Sequence, residues 1–373
     1  MATSAFPSRV SRRRLWPLLL LVSLIAALAV AWTGLWLYGA AQAKTEFAAW
    51  REQERQAGRQ QDCASLSVGG YPLGIKVRCA GADFELRELP GYRLALQSAV
   101  GGVQVYDPRL MTSELTAPLS ISPRGGAPDY SINWNAGQAS MRGQPPQAES
   151  GTLVFDDLSV HDRTSSGNDP LLRAQRFEVE GRRAVGSHAD AQAVEIVLKM
   201  RNTFAEKIHP ALARPTDADV TTIVYGLGDL SRKPLPDLLR QWQAHSGAVE
   251  ITRARLQQDD IIAVGTGAMR LTEHGDLDGN MQFTIVGIEK MLRRFNLEQL
   301  MAEGRMGSAI NTLDQLIPGL GEMARRSAAP GLVAVLGRRA ELEGKPATTL
   351  SVRFVEGRMF LGPIPVGTVP PLF

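Results

Sequence analysis

The first pattern along the chain is an unbroken apolar run. From Leu15 to Tyr38, 24 consecutive residues carry no charge, and at ~1.5 Å per helical residue they reach about 36 Å against a hydrocarbon core of roughly 30 Å. The run predicts a membrane-spanning helix over 15–38. The stretch from Lys44 to about Gln61 is polar and rich in helix formers, with Phe47 and Trp50 three apart, so a juxtamembrane helix is expected to continue the span through 39–61 as a stalk. Beyond residue 62 the period changes to two. Phe84-Leu86, Tyr92-Leu94-Leu96, Val103-Val105, Tyr130-Ile132-Trp134, Val194-Ile196-Leu198-Met200 and Leu350-Val352-Phe354 each alternate with polar or small residues. Strands with one buried and one wet face pair antiparallel, whereas a parallel α/β sheet would show continuous apolar runs between regular helices.

Between Gly247 and Gly287 the same pattern predicts three strands and two turns, with Gly265, Gly267, Gly275 and Gly279 suited to turns or bulges. A weaker echo at Gly151–Phe155 and Leu158–Val160 suggests that 62–373 divides into two related halves, 62–230 and 231–373. Helices are expected over Leu235–His245, from Ile288 with Met291, Leu292 and Phe295 on one face, and around Ile310, Leu313, Leu316 and Ile317 before Pro318. This Met-rich, basic segment, with Lys290, Arg293, Arg294, Arg305, Arg325 and Arg326, is read as core packed on a sheet; a membrane-surface helix or a gate over an apolar groove are the alternatives. The uncharged tail after Arg358 is expected to be extended, polyproline-like and laid along a sheet edge. The fold class is therefore mainly β: an elongated, curved antiparallel sheet with a few covering helices, preceded by one transmembrane helix.

Charge sets the expected orientation. Arg9, Arg12, Arg13 and Arg14 precede the run with no acid before Glu46, which keeps residues 1–14 cytoplasmic and sends the rest across. Trp16 at one end and Trp32, Trp36 and Tyr38 at the other suit the two interfaces. The expectation is a single-pass inner-membrane protein with a periplasmic domain. Cleavage after Ala41-Gln42-Ala43, a twin-arginine export signal at Ser11–Trp16 and a buried core helix are the rivals, and the length of the run favours an uncleaved anchor. Without those four arginines, 37 basic residues face 38 acidic ones, so the basic pI reflects orientation, and no basic, aromatic-laced stripe points to nucleic acid.

The two cysteines, Cys63 and Cys79, flank the turn Gly69-Gly70-Tyr71-Pro72 and are equidistant from Tyr71. A hairpin in that register sets them opposite each other, and a disulfide is expected in an oxidising compartment. Two cysteines with no neighbouring histidines do not make a zinc site.

Chemistry is sparse. The chain has no H-E-x-x-H, no G-x-S-x-G and no P-loop; Gly337 to Gly344-Lys345-Pro346 has the wrong spacing. Gly265-Thr266-Gly267 lacks the third glycine and the helix of a dinucleotide site. Asp156, Asp157, His161 and Asp162 form the densest acid and histidine cluster, read as a solvated strand end ahead of a cation or acid–base site. His188, His209, His245 and His274 stand alone. No catalytic, cofactor-binding or metal residue is assigned, and no cofactor is expected.

Taken in order, the anchor, the helix ending in Trp50, Gly70-Tyr71-Pro72-Leu73, Gly265–Met269 with Gly275-Asp276-Leu277-Asp278-Gly279, and Phe360–Pro365 resemble the bacterial domain-of-unknown-function family twenty-one twenty-five over nearly the whole chain. One departure is Gly74, where that pattern carries a larger or basic residue. The Gly-x-Leu-x-Gly turn is also similar, at fold level, to AsmA-like envelope proteins. The resemblance implies no activity and carries no catalytic position. The leading expectation is a non-enzymatic envelope protein that offers an apolar sheet groove to lipid or another amphiphile. A scaffold that binds envelope proteins through sheet edges or its tail comes second, and a hydrolase is the remote third.

Overall fold

The computed structural model describes residues 16–56, 60–85, 91–144, 147–164, 169–184, 193–227, 235–294, 337–362 and 364–373. One helix, α1 (Trp16–Gln56), runs from the apolar stretch through most of the expected stalk without a break. The predicted continuation to residue 61 stops short, because Gln60 already opens the first strand.

Strands then follow almost without interruption: β1 (Gln60–Gly69), β2 (Gly74–Glu85), β3 (Tyr92–Gln104), β4 (Asp107–Pro123), β5 (Tyr130–Asn133), β6 (Ala136–Gln144), β7 (Gln147–Asp162), β8 (Leu172–Arg183), β9 (Val194–Thr203) and β10 (Thr216–Tyr225). After α2 (Leu235–Ala244) come β11 (Ala248–Gln258), β12 (Ile261–Leu271) and β13 (Leu277–Val286), then α3 (Ile288–Arg294). The chain ends with β14 (Arg338–Leu342), β15 (Lys345–Val355), β16 (Arg358–Leu361) and β17 (Ile364–Thr368).

All 17 strands belong to one sheet, and each pairs antiparallel with a neighbour close in sequence. β5 and β6 together bridge β4 to β7, and β14 and β16 share one edge of β15. The segments 62–230 and 231–373 are joined in this sheet by the β10–β11 pairing. Such a meander is built from local hairpins and needs no long crossover.

The strands over 248–286 match the predicted three-strand meander. Gly265 and Gly267, however, lie inside β12 and not at turns; the irregularity is in β11, between Ile251 and Ala254, opposite them. A Cβ at Gly267 would meet the Asn280 carbonyl oxygen at 2.3 Å, so glycine is required by the close approach of β13. The tail is extended as expected, but as the paired strands β16 and β17, and its last residues bond back to the sheet, Val369 donating to Gly357 and Leu372 to Gly275. The helix expected around 310–317 lies outside the described residues.

Cys63 and Cys79 are bonded, with Cα atoms 5.4 Å apart, but the predicted register is corrected. Cys63 stands opposite Ala82, and Cys79 opposite Leu66. Three residues of straight strand would span roughly 10 Å. Gly81, in the left-handed region at φ +60°, lies between Cys79 and Ala82 on β2, where the bonded pair departs from straight strand. With 16 residues of sequence separation, replacing both cysteines by serine should lower stability by about 3 kcal/mol in urea unfolding followed by circular dichroism.

Candidate functional site

Directly opposed residues of paired strands share a face, so the register allows each face of the sheet to be followed from strand to strand. Leu66 on β1 opposes Cys79, and Cys79 opposes Ala99. Ala99 opposes Leu115, Leu115 opposes Gly137, and Gly137 opposes Phe155. The row continues through Phe177, Met200 and Ala218 to Leu256, then through Ala263 to Ile285. A second row beside it runs Val179, Leu198, Val220, Ala254, Gly265, Phe283, Leu350. No residue of either row carries a charge.

The opposite face, one residue away along each strand, carries a ladder of ion pairs from β7 to β11. Arg176 meets Asp156 at 2.9 Å and Glu178 at 3.2 Å. Lys199 meets Glu178 at 2.9 Å and Glu180 at 3.3 Å. Arg201 meets Asp219 at 2.6 Å, and Arg255 meets Glu343 at 2.8 Å. Lys199, with Arg176 beside it, holds the half-buried Glu178 carboxyl down to about 2, against the opposing effect of burial. Its ordinary value is 4.5, so a lowered value in the folded protein means stabilisation that is complete above that pH and is lost as pH falls through about 2. Urea midpoints measured from about pH 6 down to about pH 2 should therefore fall in the wild type, and fall less steeply in Glu178→Gln.

The apolar face is only partly covered. Around Trp134, a cluster of Ala82, Leu96, Leu158 and Ala174 gathers Phe155, Phe177 and Leu115 from neighbouring strands. At the other end α3 lays Ile288 and Leu292 on Ile285 and Leu350. Away from these two patches the face is half-exposed, and Leu66 on β1, Met111 on β4 and Leu256 on β11 are 39%, 39% and 46% exposed. Met111 opposes Val103 and Met141 and so lies on the same face. Among the described residues no large side chain is fully buried. A strand normally turns such residues into a core; here they line an open surface.

One end of the sheet is tied to α1, the one described helix long and apolar enough to cross a membrane. The Trp32 indole N–H donates to the Pro72 carbonyl at 3.0 Å and that of Trp36 to Gly74 at 2.8 Å. Tyr71 stands edge-on to Trp36, with ring centroids 5.5 Å apart. Arg51 reaches Asp62 at 2.9 Å further up β1. Gly74 fits closely against β3, where a Cβ would meet the Val103 carbonyl oxygen at 2.9 Å.

The acid and histidine cluster does not converge. Asp156 pairs with Arg176, Asp157 has φ +53° and accepts from Asn135, Asp162 caps Thr164, and His161 meets Ser159. Among the described residues no group of three or more His, Cys, Asp or Glu is arranged to hold a metal ion. Sequence reasoning found the long apolar helix and the bonded cysteines but missed the apolar rows, since they exist only once the register is known. Comparison with known families matches residues 36–370 to one described as "uncharacterized protein conserved in bacteria", DUF2125. No curated protein and no solved structure matches the chain.

Proposed function

We propose, from the premise that this chain belongs to the bacterial family DUF2125, that it is a non-enzymatic, membrane-anchored amphiphile-binding protein. Its N-terminus lies in the cytoplasm and its sheet in the periplasm, where the apolar rows hold acyl chains of lipid or another amphiphile for envelope maintenance. The observation that carries this reading is the pair of uncharged rows, one from β1 to β13 and one from β8 to β15, with Leu66, Met111 and Leu256 left exposed in or beside them. Acyl chains fit a broad, apolar, uncharged surface better than any polar substrate would. The arginines before the span support the orientation, and an oxidising periplasm suits the Cys63–Cys79 bond.

The test is mass spectrometry of the full chain excised from membranes with its surrounding lipid by a polymer, then stripped of loosely held lipid by dilution. Retained, stoichiometric phospholipid or another amphiphile is expected. An empty, monodisperse protein would contradict the reading. A scaffold role is the second reading, favoured by β17, which pairs with β16 alone among the described strands; an empty protein would move it to first place.

A further inference from the structure

We infer that the end of the sheet held by α1 is a second membrane contact: the tips Tyr71–Leu73 and Val105–Tyr106 sit in the lipid interface of the bilayer that α1 spans. The inference rests on the reading of α1 as a spanning helix and is independent of whether the apolar rows hold lipid.

Depth carries the argument. Trp36 follows Trp16 by twenty residues, which is ~30 Å of helix and one hydrocarbon thickness. Trp16 at one boundary therefore places Trp36 at the other. The β1–β2 tip is fixed at that level by Trp36 donating to Gly74 at 2.8 Å, Trp32 donating to Pro72 at 3.0 Å, and the hydroxyls of Thr33 and Tyr71 meeting at 2.9 Å. The β3–β4 tip is tied to the first by the Val105 amide, which donates to the Leu73 carbonyl at 2.9 Å. Neither tip can leave the interface without breaking these bonds.

The chemistry of the tips fits that depth. Leu73 is 62% exposed, Tyr106 74%, Tyr71 52% and Val105 47%, a concentration of bare apolar and aromatic surface within two short turns. Tyrosine rings favour the boundary between acyl chains and headgroups. The first acid after the second tip, Asp107, is engaged by Arg142 at 3.1 Å. Exposed Lys76 and Arg109 flank the tips one step further from the membrane, at the height of headgroup phosphates. The partner is thus the outer face of the bilayer itself.

The test uses the full chain in vesicles of phosphatidylethanolamine and phosphatidylglycerol. With both native cysteines bonded, a spin label is placed through Leu73→Cys, Tyr106→Cys, Leu28→Cys within the span, or Glu206→Cys in the β9–β10 connection at the far end. Labels at 73 and 106 are expected to lose most of their collisions with a water-soluble nickel chelate and gain collisions with oxygen, as at 28 and unlike at 206. If 28 is shielded while either 73 or 106 collides with the chelate as freely as 206, the inference is overturned and the anchor stands. If 28 is itself open to the chelate, the spanning helix fails and the inference falls with it.

Discussion

Trp134→Ala should destabilise the protein by about 3–5 kcal/mol, the usual cost of removing a buried tryptophan. Trp134 is 8% exposed, its ring packs on Phe155 with centroids 4.6 Å apart, and its N–H donates to the Leu115 carbonyl at 2.8 Å. Gly137 leaves the room, since a Cβ there would meet the indole nitrogen at 2.5 Å. The residue therefore ties β4, β6 and β7 together at the point where the short strands β5 and β6 replace one long strand. Trp134→Phe keeps most of the packing and loses the hydrogen bond, so it should cost only about 1 kcal/mol beyond the change in packing. Urea midpoints for the two variants check both statements. Equal small losses would mean that the cluster around Trp134 contributes little to the fold.

The second large effect falls on binding and spares the fold. Met111→Asp combined with Leu256→Asp puts two carboxylates onto the apolar face at positions already 39% and 46% exposed. Neither removes a buried side chain, so circular dichroism and the thermal midpoint should stay near wild type. Acyl chains cannot lie against a buried, unpaired carboxylate without a large desolvation cost, so the retained amphiphile should fall at least about tenfold, which corresponds to roughly 1.4 kcal/mol. Undiminished amphiphile on a folded double variant would place the ligand elsewhere.

How much of this could be read from the sequence depends on how local each signal was. The long apolar helix, the hairpin after Cys63 and the meander over 248–286 were legible, because each rests on a run or an alternation confined to a few residues. β4, β8 and β10 were not. Several positions on their apolar face, such as Ser113, Gly181 and Ala218, are too small or too polar to register as hydrophobic.

A left-handed residue hid more. Phe155 and Leu158 join one cluster despite an odd spacing, because Asp157 adopts φ +53° and interrupts the alternation within β7. The right cysteine pair was found in the wrong register because the β1–β2 pairing runs unbroken from Gly69 opposite Lys76 to Gln60 opposite Glu85, which centres the hairpin between Pro72 and Leu73 and not on Tyr71. The apolar rows themselves were beyond reach, since Leu66 and Ile285 fall in line only through the register of every strand between them. The anion and cation ladder on the other face was equally invisible, although it explains why so many charges can share a sheet with a greasy surface.

The most direct test of that surface compares the two faces of a single strand pair. Leu198 and Val220 oppose each other on the apolar face, and Val197 and Thr221 oppose each other on the charged one. A photo-crosslinking amino acid placed singly at each of the four positions, in the full chain in its own membrane, samples both faces at nearly the same height. Irradiation should give lipid adducts by mass spectrometry at 198 and 220 and none at 197 and 221. Adducts on both faces alike, or only protein adducts at 198 and 220, would contradict the account.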